Sequence, residues 1–208
     1  KDAKDFDDAV FCEANEDGFV LRVAIADVAE IVEPSSSIDK EALSRGTSIY
    51  FPKRVIPMLP EEISNNLCSL IPNEDRNVLV CKMNFTQEGE INSYDFSESI
   101  INSHKRFTYN EVEFLKQNKD TNLSADILNS INALEKLTKQ LLNNRSKRYA
   151  LEIESSEPTL SFGNEGNISE IFIPKRLFAH QMIEEAMISA NICAAKFIKK
   201  HLGFGVYR

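Results

Sequence analysis

Asp5, Asp7 and Asp8 fall within four positions, in the run Lys1-Asp2-Ala3-Lys4-Asp5-Phe6-Asp7-Asp8-Ala9-Val10. Carboxylates this close repel one another unless an opposite charge offsets them. A divalent cation does so: Mg²⁺ takes hard oxygen ligands, usually one or two carboxylates with waters and substrate phosphate. In an extended segment Asp5 and Asp7 face one way and Asp8 the other. All three meet one site only where the backbone turns. The competing reading is a solvated acidic edge beside a strand. A second pair, Glu184 and Glu185, lies in a stretch that is apolar on most sides. At least one of them must face inward or line a cavity, where an unpaired charge is expensive.

The rest of the chain limits what these carboxylates can serve. At 208 residues, 42% hydrophobic and 27% charged, it has the composition of one large globular domain or a piece of one. The acidic run starts almost at residue 1 and the last residues break off in an apolar phrase, Val206-Tyr207-Arg208, so we expect an excerpt of a longer protein. No apolar run is long enough to span a membrane, and the acidic start is not a signal peptide. The four cysteines (Cys12, Cys68, Cys81, Cys193) are far apart without CxxC spacing. They read as reduced core residues of a cytoplasmic protein. The three scattered histidines offer no HExxH-type pairing. A net charge of −8 argues against a sequence-independent basic nucleic-acid binder. It leaves room for a metal-dependent enzyme on nucleic acid, because a cation screens phosphate from the site's carboxylates.

The elements that must position these groups follow from local patterns. Val10–Glu13 and Phe19–Ala26 read as strands around an Asn15-Glu16-Asp17-Gly18 turn. Val23-Ala24-Ile25-Ala26 is continuously apolar, as in a central strand buried on both faces. Asp27 ends it, either capping a turn or supporting the acidic cluster. Ser36 or Ser37 caps a helix from Ile38 to Arg45 that Gly46 stops. Thr47–Pro52 is a short strand, and Ile56–Pro60 is a rigid proline-rich loop followed by a helical turn at Pro60–Ile63. Asn77–Phe85 and Ile91–Ile101 are strands. Thr108 and Glu111 form a capping box for a helix through Gln117. A long amphipathic helix covers Ser124–Lys147, with a basic end that serves the helix dipole or contacts phosphate. Leu151–Ile153, Thr159–Phe162 and Ile168–Ile173 are short strands, and Arg176–Lys200 is a second long helix. We expect an α+β fold, a mixed and largely antiparallel sheet packed with long helices, organised around one sheet.

Six phrases in order carry a family resemblance: Asp2–Val10, Ala24-Ile25-Ala26-Asp27-Val28, Arg45–Pro52, Val55–Pro60, Ser64–Leu70 and His180–Met187. The chain resembles, from residue 1 to 208, the catalytic (RNB) domain of the ribonuclease II and ribonuclease R family, closer to the R branch. The resemblance implies a processive, Mg²⁺-dependent 3′-to-5′ exoribonuclease. Such an enzyme acts on the 3′ end of single-stranded RNA and releases nucleoside 5′-monophosphates; we expect a monomer. It also implies that residues 1–208 are only part of a catalytic domain, without its C-terminal portion or flanking OB-type domains.

Of the family's four signature aspartates, Asp5, Asp7 and Asp8 match the last three, and the first would fall upstream of Lys1. By this resemblance the upstream aspartate and Asp8 hold Mg²⁺. Asp7 is the critical carboxylate and Asp5 supports the site, so Asp7 and Asp8 are the metal-site residues present. Tyr50 matches a nucleotide-stacking tyrosine; read without the resemblance, it is a core strand aromatic. Tyr109 and Glu185 match ribose-recognition positions; the alternatives are a tyrosine packing on the core and a buried glutamate paired with arginine. Ile153 stands where the family often has a phenylalanine closing the base clamp. Two other classes compete: an inactive RNA-binding module of the same fold, and an interaction domain with an acidic edge.

Overall fold

Asn15–Gly18 turns the chain as its residue types dictate. The Asn15 Oδ1 accepts hydrogen bonds from Asp17 N at 3.1 Å and Gly18 N at 2.9 Å. Gly18 has φ +146°, and a Cβ there would lie 2.1 Å from the Phe85 carbonyl oxygen. Only glycine fits this position. The turn joins β1 (Asp8–Ala14) to β2 (Gly18–Ala26), which pair antiparallel from Ala14↔Phe19 to Asp8↔Ile25.

The computed structural model describes residues 5–51, 54–117, 123–148, 158–163 and 167–207. After β2 come α1 (Ser37–Arg45), β3 (Ile49–Phe51), β4 (Arg54–Ile56), β5 (Asp75–Thr86) and β6 (Ile91–Asn102). Then follow α2 (Tyr109–Gln117), α3 (Ala125–Lys147), β7 (Thr159–Phe162), β8 (Ile168–Phe172) and α4 (Phe178–Leu202). The main sheet has the order β1-β2-β5-β6, and all its ladders are antiparallel. The single-sheet expectation is corrected here: β3-β4 and β7-β8 form two separate hairpins. β4 falls partly within a stretch read as loop, because Pro57 and Pro60 dominate that reading.

β2 is buried on both faces, as its apolar run requires. Phe19, Leu21 and Val23 join Cys12, Cys81, Met83 and Phe85 in a core closed by Leu134 and Leu137 of α3 and Met182, Ala186 and Cys193 of α4. The alternate residues Ala24 and Ala26 face a second cluster with Val78, Val80, Ile63, Cys68 and Leu70, onto which Phe6 and Leu59 pack. All four cysteines are free and buried. Ser36 caps α1 by accepting from Asp39 N at 3.1 Å, and Gly46 ends it with φ +71°. The Thr108–Glu111 capping box forms at α2. Among the described residues no helix is long and apolar enough to cross a membrane. Ile153 and its expected strand lie outside the described residues.

Candidate active site

The acidic segment enters the sheet at the start of β1 and is held on both edges. On one edge, the Ala26 amide donates to the Asp7 carbonyl at 2.9 Å. On the other, the Phe6 amide donates to Ser69 Oγ at 3.1 Å, and the Leu70 amide donates to the Phe6 carbonyl at 2.9 Å. The Phe6 ring packs into the second core cluster, with the Arg106 guanidinium 4.8 Å from its centroid. The three aspartates are thus carried by a fixed backbone rather than a loose tail.

Their electrostatics show the crowding. Burial pushes the Asp7 carboxyl above the usual aspartate range, and the charges of Asp5 and Asp8 push it further. Burial also raises Asp8, against its own backbone hydrogen bond, which lowers it. Both residues remain exposed over their surface as a whole, so water screens part of this repulsion. The sign follows from linkage. With the folded-state values raised, protonation of Asp7 and Asp8 favours the metal-free fold below the ordinary aspartate value. That contribution is lost as pH rises through the raised values. Above those raised values the segment carries crowded negative charge that a cation would offset. No group of three or more carboxylate, thiol or imidazole side chains among the described residues is already arranged to hold a metal. Asp7 and Asp8 nevertheless have the hard-oxygen chemistry of a Mg²⁺ site that is completed by phosphate and water.

Asp27 does not cap the short 3₁₀ turn at Val28–Glu30: its side chain makes no cap hydrogen bond. Its charge reaches Cys68, which also feels Asp7, and both act with burial to raise that thiol. Cys68 therefore stays protonated at neutral pH and is no nucleophile. Asp27, Cys68, Asp75 and Arg76 line an open cavity of about 200 Å³.

Tyr109 stands at the first turn of α2, where burial and the charge of Asp8 raise its phenol. Its ring stacks on His180 of α4, with centroids 3.9 Å apart and planes 22° from parallel. His180 Nδ1 accepts from the Leu177 amide at 3.0 Å, and Glu113 Oε1 accepts from the Ala179 amide at 2.8 Å. The start of α4 is therefore docked on α2.

Further along α4, Glu185 is buried and Glu184 is not. Arg145, at the end of α3, donates to Glu185 at 2.8 Å and to Glu184 at 3.3 Å. Arg176 holds the other oxygen of Glu184. The arginine end of α3 thus neutralises the buried glutamate, a role that composition alone did not assign to Arg145. Tyr50 is no core residue: it lies on the β3-β4 hairpin and is 68% exposed. Arg45 Nη1, donating to the Pro57 carbonyl at 2.8 Å, and the Met58 amide, donating to Ser48 Oγ at 2.9 Å, fix the base of that hairpin. The charges of Asp5 and Asp8 act on Asp7, and that of Asp8 on Tyr109; no described contact joins Tyr50 or Glu185 to the aspartates. Sequence reasoning missed Ser69, Arg76, Arg106 and His180; Ser69 on Phe6, Arg106 on the Phe6 ring and His180 on Tyr109 are contacts between residues far apart in the chain.

The sequence matches the family described as the RNB domain over residues 1–208. It is 45% identical to ribonuclease R of Escherichia coli (strain K12), over 96% of this chain and 25% of that protein. It is 43% identical to ribonuclease R of Vibrio parahaemolyticus, over 100% of this chain and 25% of that protein. The chain thus spans about a quarter of the length of these curated relatives. The structure superposes with a TM-score of 0.90 on Mycoplasma genitalium RNase R in complex with ribose-methylated single-stranded RNA. Identity there is 35%, covering 95% of this chain and 31% of that one.

Proposed function

The chain belongs to the RNB domain family, and from that premise we propose that it forms part of the catalytic domain of a processive 3′-to-5′ exoribonuclease. The proposed enzyme hydrolyses single-stranded RNA with Mg²⁺ and releases nucleoside 5′-monophosphates. It acts as a cytoplasmic monomer whose remaining segments supply basic RNA-binding surface. The observation that carries this reading is the clamped acidic segment, in which Asp5 and Asp8 crowd Asp7. Its support is the similarity to ribonuclease R proteins, one of them solved with single-stranded RNA.

Each residue takes a task its chemistry permits. Asp7 and Asp8 would hold the cation, and Asp5 would support the site. Bound Mg²⁺ supplies Lewis acidity toward phosphoryl oxygens and a more acidic water. Tyr109 remains a phenol at neutral pH and contacts the terminal ribose, where the 2′-OH distinguishes RNA from DNA. Glu185, steadied by Arg145, is the second ribose reader. The exposed Tyr50 ring offers a sequence-tolerant stacking face, worth about 1–3 kcal/mol per base. Ile153, which the family resemblance assigns to the base clamp, lies outside the described residues.

The test is degradation of 5′-labelled oligoadenylate by the full-length parent. Mg²⁺-dependent shortening from the 3′ end with nucleoside 5′-monophosphate products is expected, and the 208-residue chain alone gives no measurable turnover. Metal-independent cleavage or 3′-phosphate products would overturn the reading.

A further inference from the structure

Ser69 is fully buried, 63 residues from Phe6 in sequence, and its hydroxyl accepts the Phe6 amide. Its carbonyl in turn accepts from Arg76 Nε at 3.0 Å and from the Ile71 amide at 2.8 Å. Arg76 is itself anchored, donating through Nη1 to the Asp75 carbonyl at 2.9 Å. A line of hydrogen bonds therefore runs from β5 through Ser69 to the one residue that separates Asp5 from Asp7.

The geometry points to Ser69, seated by Arg76, as a positioning residue that holds Phe6 and with it the backbone that carries Asp5, Asp7 and Asp8. The inference rests on the exoribonuclease reading of the acidic segment. Mutual repulsion drives the three carboxylates apart, and it is strongest when no cation is bound. Among the described contacts Asp7 is tied to β2 through its carbonyl, and on the opposite edge Phe6 holds the segment. Among the described residues that edge is bonded by the Leu70 amide to the Phe6 carbonyl and by the Phe6 amide to the Ser69 hydroxyl. Without the hydroxyl, the Phe6 amide loses this acceptor and the segment can relax toward wider carboxylate spacing. Asp7 and Asp8 would then present their oxygens to a cation less uniformly, and metal sites depend on ligands held in place by the residues behind them. Ser69 touches neither RNA nor metal in this account, so RNA affinity is unaffected.

The test measures Mg²⁺ affinity by calorimetric titration with a hydrolysis-resistant RNA bound, together with the Mg²⁺ dependence of the rate, kcat and KM, in the full-length parent for wild type, Ser69→Ala and Arg76→Gln. Rates are scaled to the folded fraction read from thermal unfolding of the same samples. Ser69→Ala is expected to raise the Mg²⁺ concentration for half-maximal rate about tenfold and to lower kcat, with KM for RNA within about twofold of wild type. Arg76→Gln shifts in the same direction by less, and it decides the matter alone if Ser69→Ala does not fold. An unchanged Mg²⁺ requirement in the folded variants, or a loss that only tracks the folded fraction, overturns the positioning role. A wild-type parent that shows no Mg²⁺-dependent RNA hydrolysis overturns the functional reading instead.

Discussion

Asp7→Asn in the full-length parent is expected to cut RNA degradation by about 10³-fold, roughly 4 kcal/mol at the transition state, while RNA affinity stays within about twofold. The substitution keeps the size of the side chain and leaves the carbonyl that accepts from Ala26 in place. It removes a carboxylate that Asp5 and Asp8 already crowd. The metal-free fold is therefore relieved rather than harmed, by up to about 1 kcal/mol after allowance for solvent screening. Lost hydrolysis in a protein at least as stable as wild type assigns Asp7 to the chemistry. Equal loss of RNA binding and hydrolysis would make it a structural residue. Rates and fluorescence-anisotropy binding curves on the same preparation separate the two.

Arg145→Met is expected to destabilise the protein by about 3–5 kcal/mol, because it strands a buried carboxylate. The Glu185 side chain is only 6% exposed and Arg145 lies 2.8 Å from its Oε1, whereas the Glu184 side chain is 37% exposed and shares its charge with Arg176. Arg176→Met therefore costs no more than about 1 kcal/mol. Adding Glu185→Gln to Arg145→Met recovers much of the loss, since the amide carries no charge to neutralise. Denaturant unfolding of the single and double variants provides the measurement. A cost below about 1 kcal/mol for Arg145→Met would show that Glu185 does not depend on this partner.

Local chemistry made much of the fold legible. The Asn15–Gly18 turn, the Ser36 and Thr108 caps and the Gly46 stop each depend on residues within a few positions of one another. The unbroken apolar run of Val23–Ala26 signals a strand with a core on each side, and β2 has both. The division into three sheets was not legible, because β3 and β4 are three residues each and are flanked by proline. Similarly, the aspartates announce themselves by spacing, but their support does not. Ser69 looks like any small polar residue until the fold sets it against Phe6. The stacking of Tyr109 on His180 joins two helices far apart in the chain. Tyr50 shows the limit in the other direction: aromatic residues in short strands usually pack inward, yet this one is presented to solvent on a hairpin whose base is pinned from α1.

Calorimetric titration of Mg²⁺ into the full-length parent holding a short RNA with a hydrolysis-resistant last linkage tests the role of the acidic segment most directly. Saturable heat that requires the RNA, and that disappears in the Asp7→Asn/Asp8→Asn double variant with RNA still bound, is the predicted result. The same heat in the double variant, or none in the wild-type complex, would contradict the account.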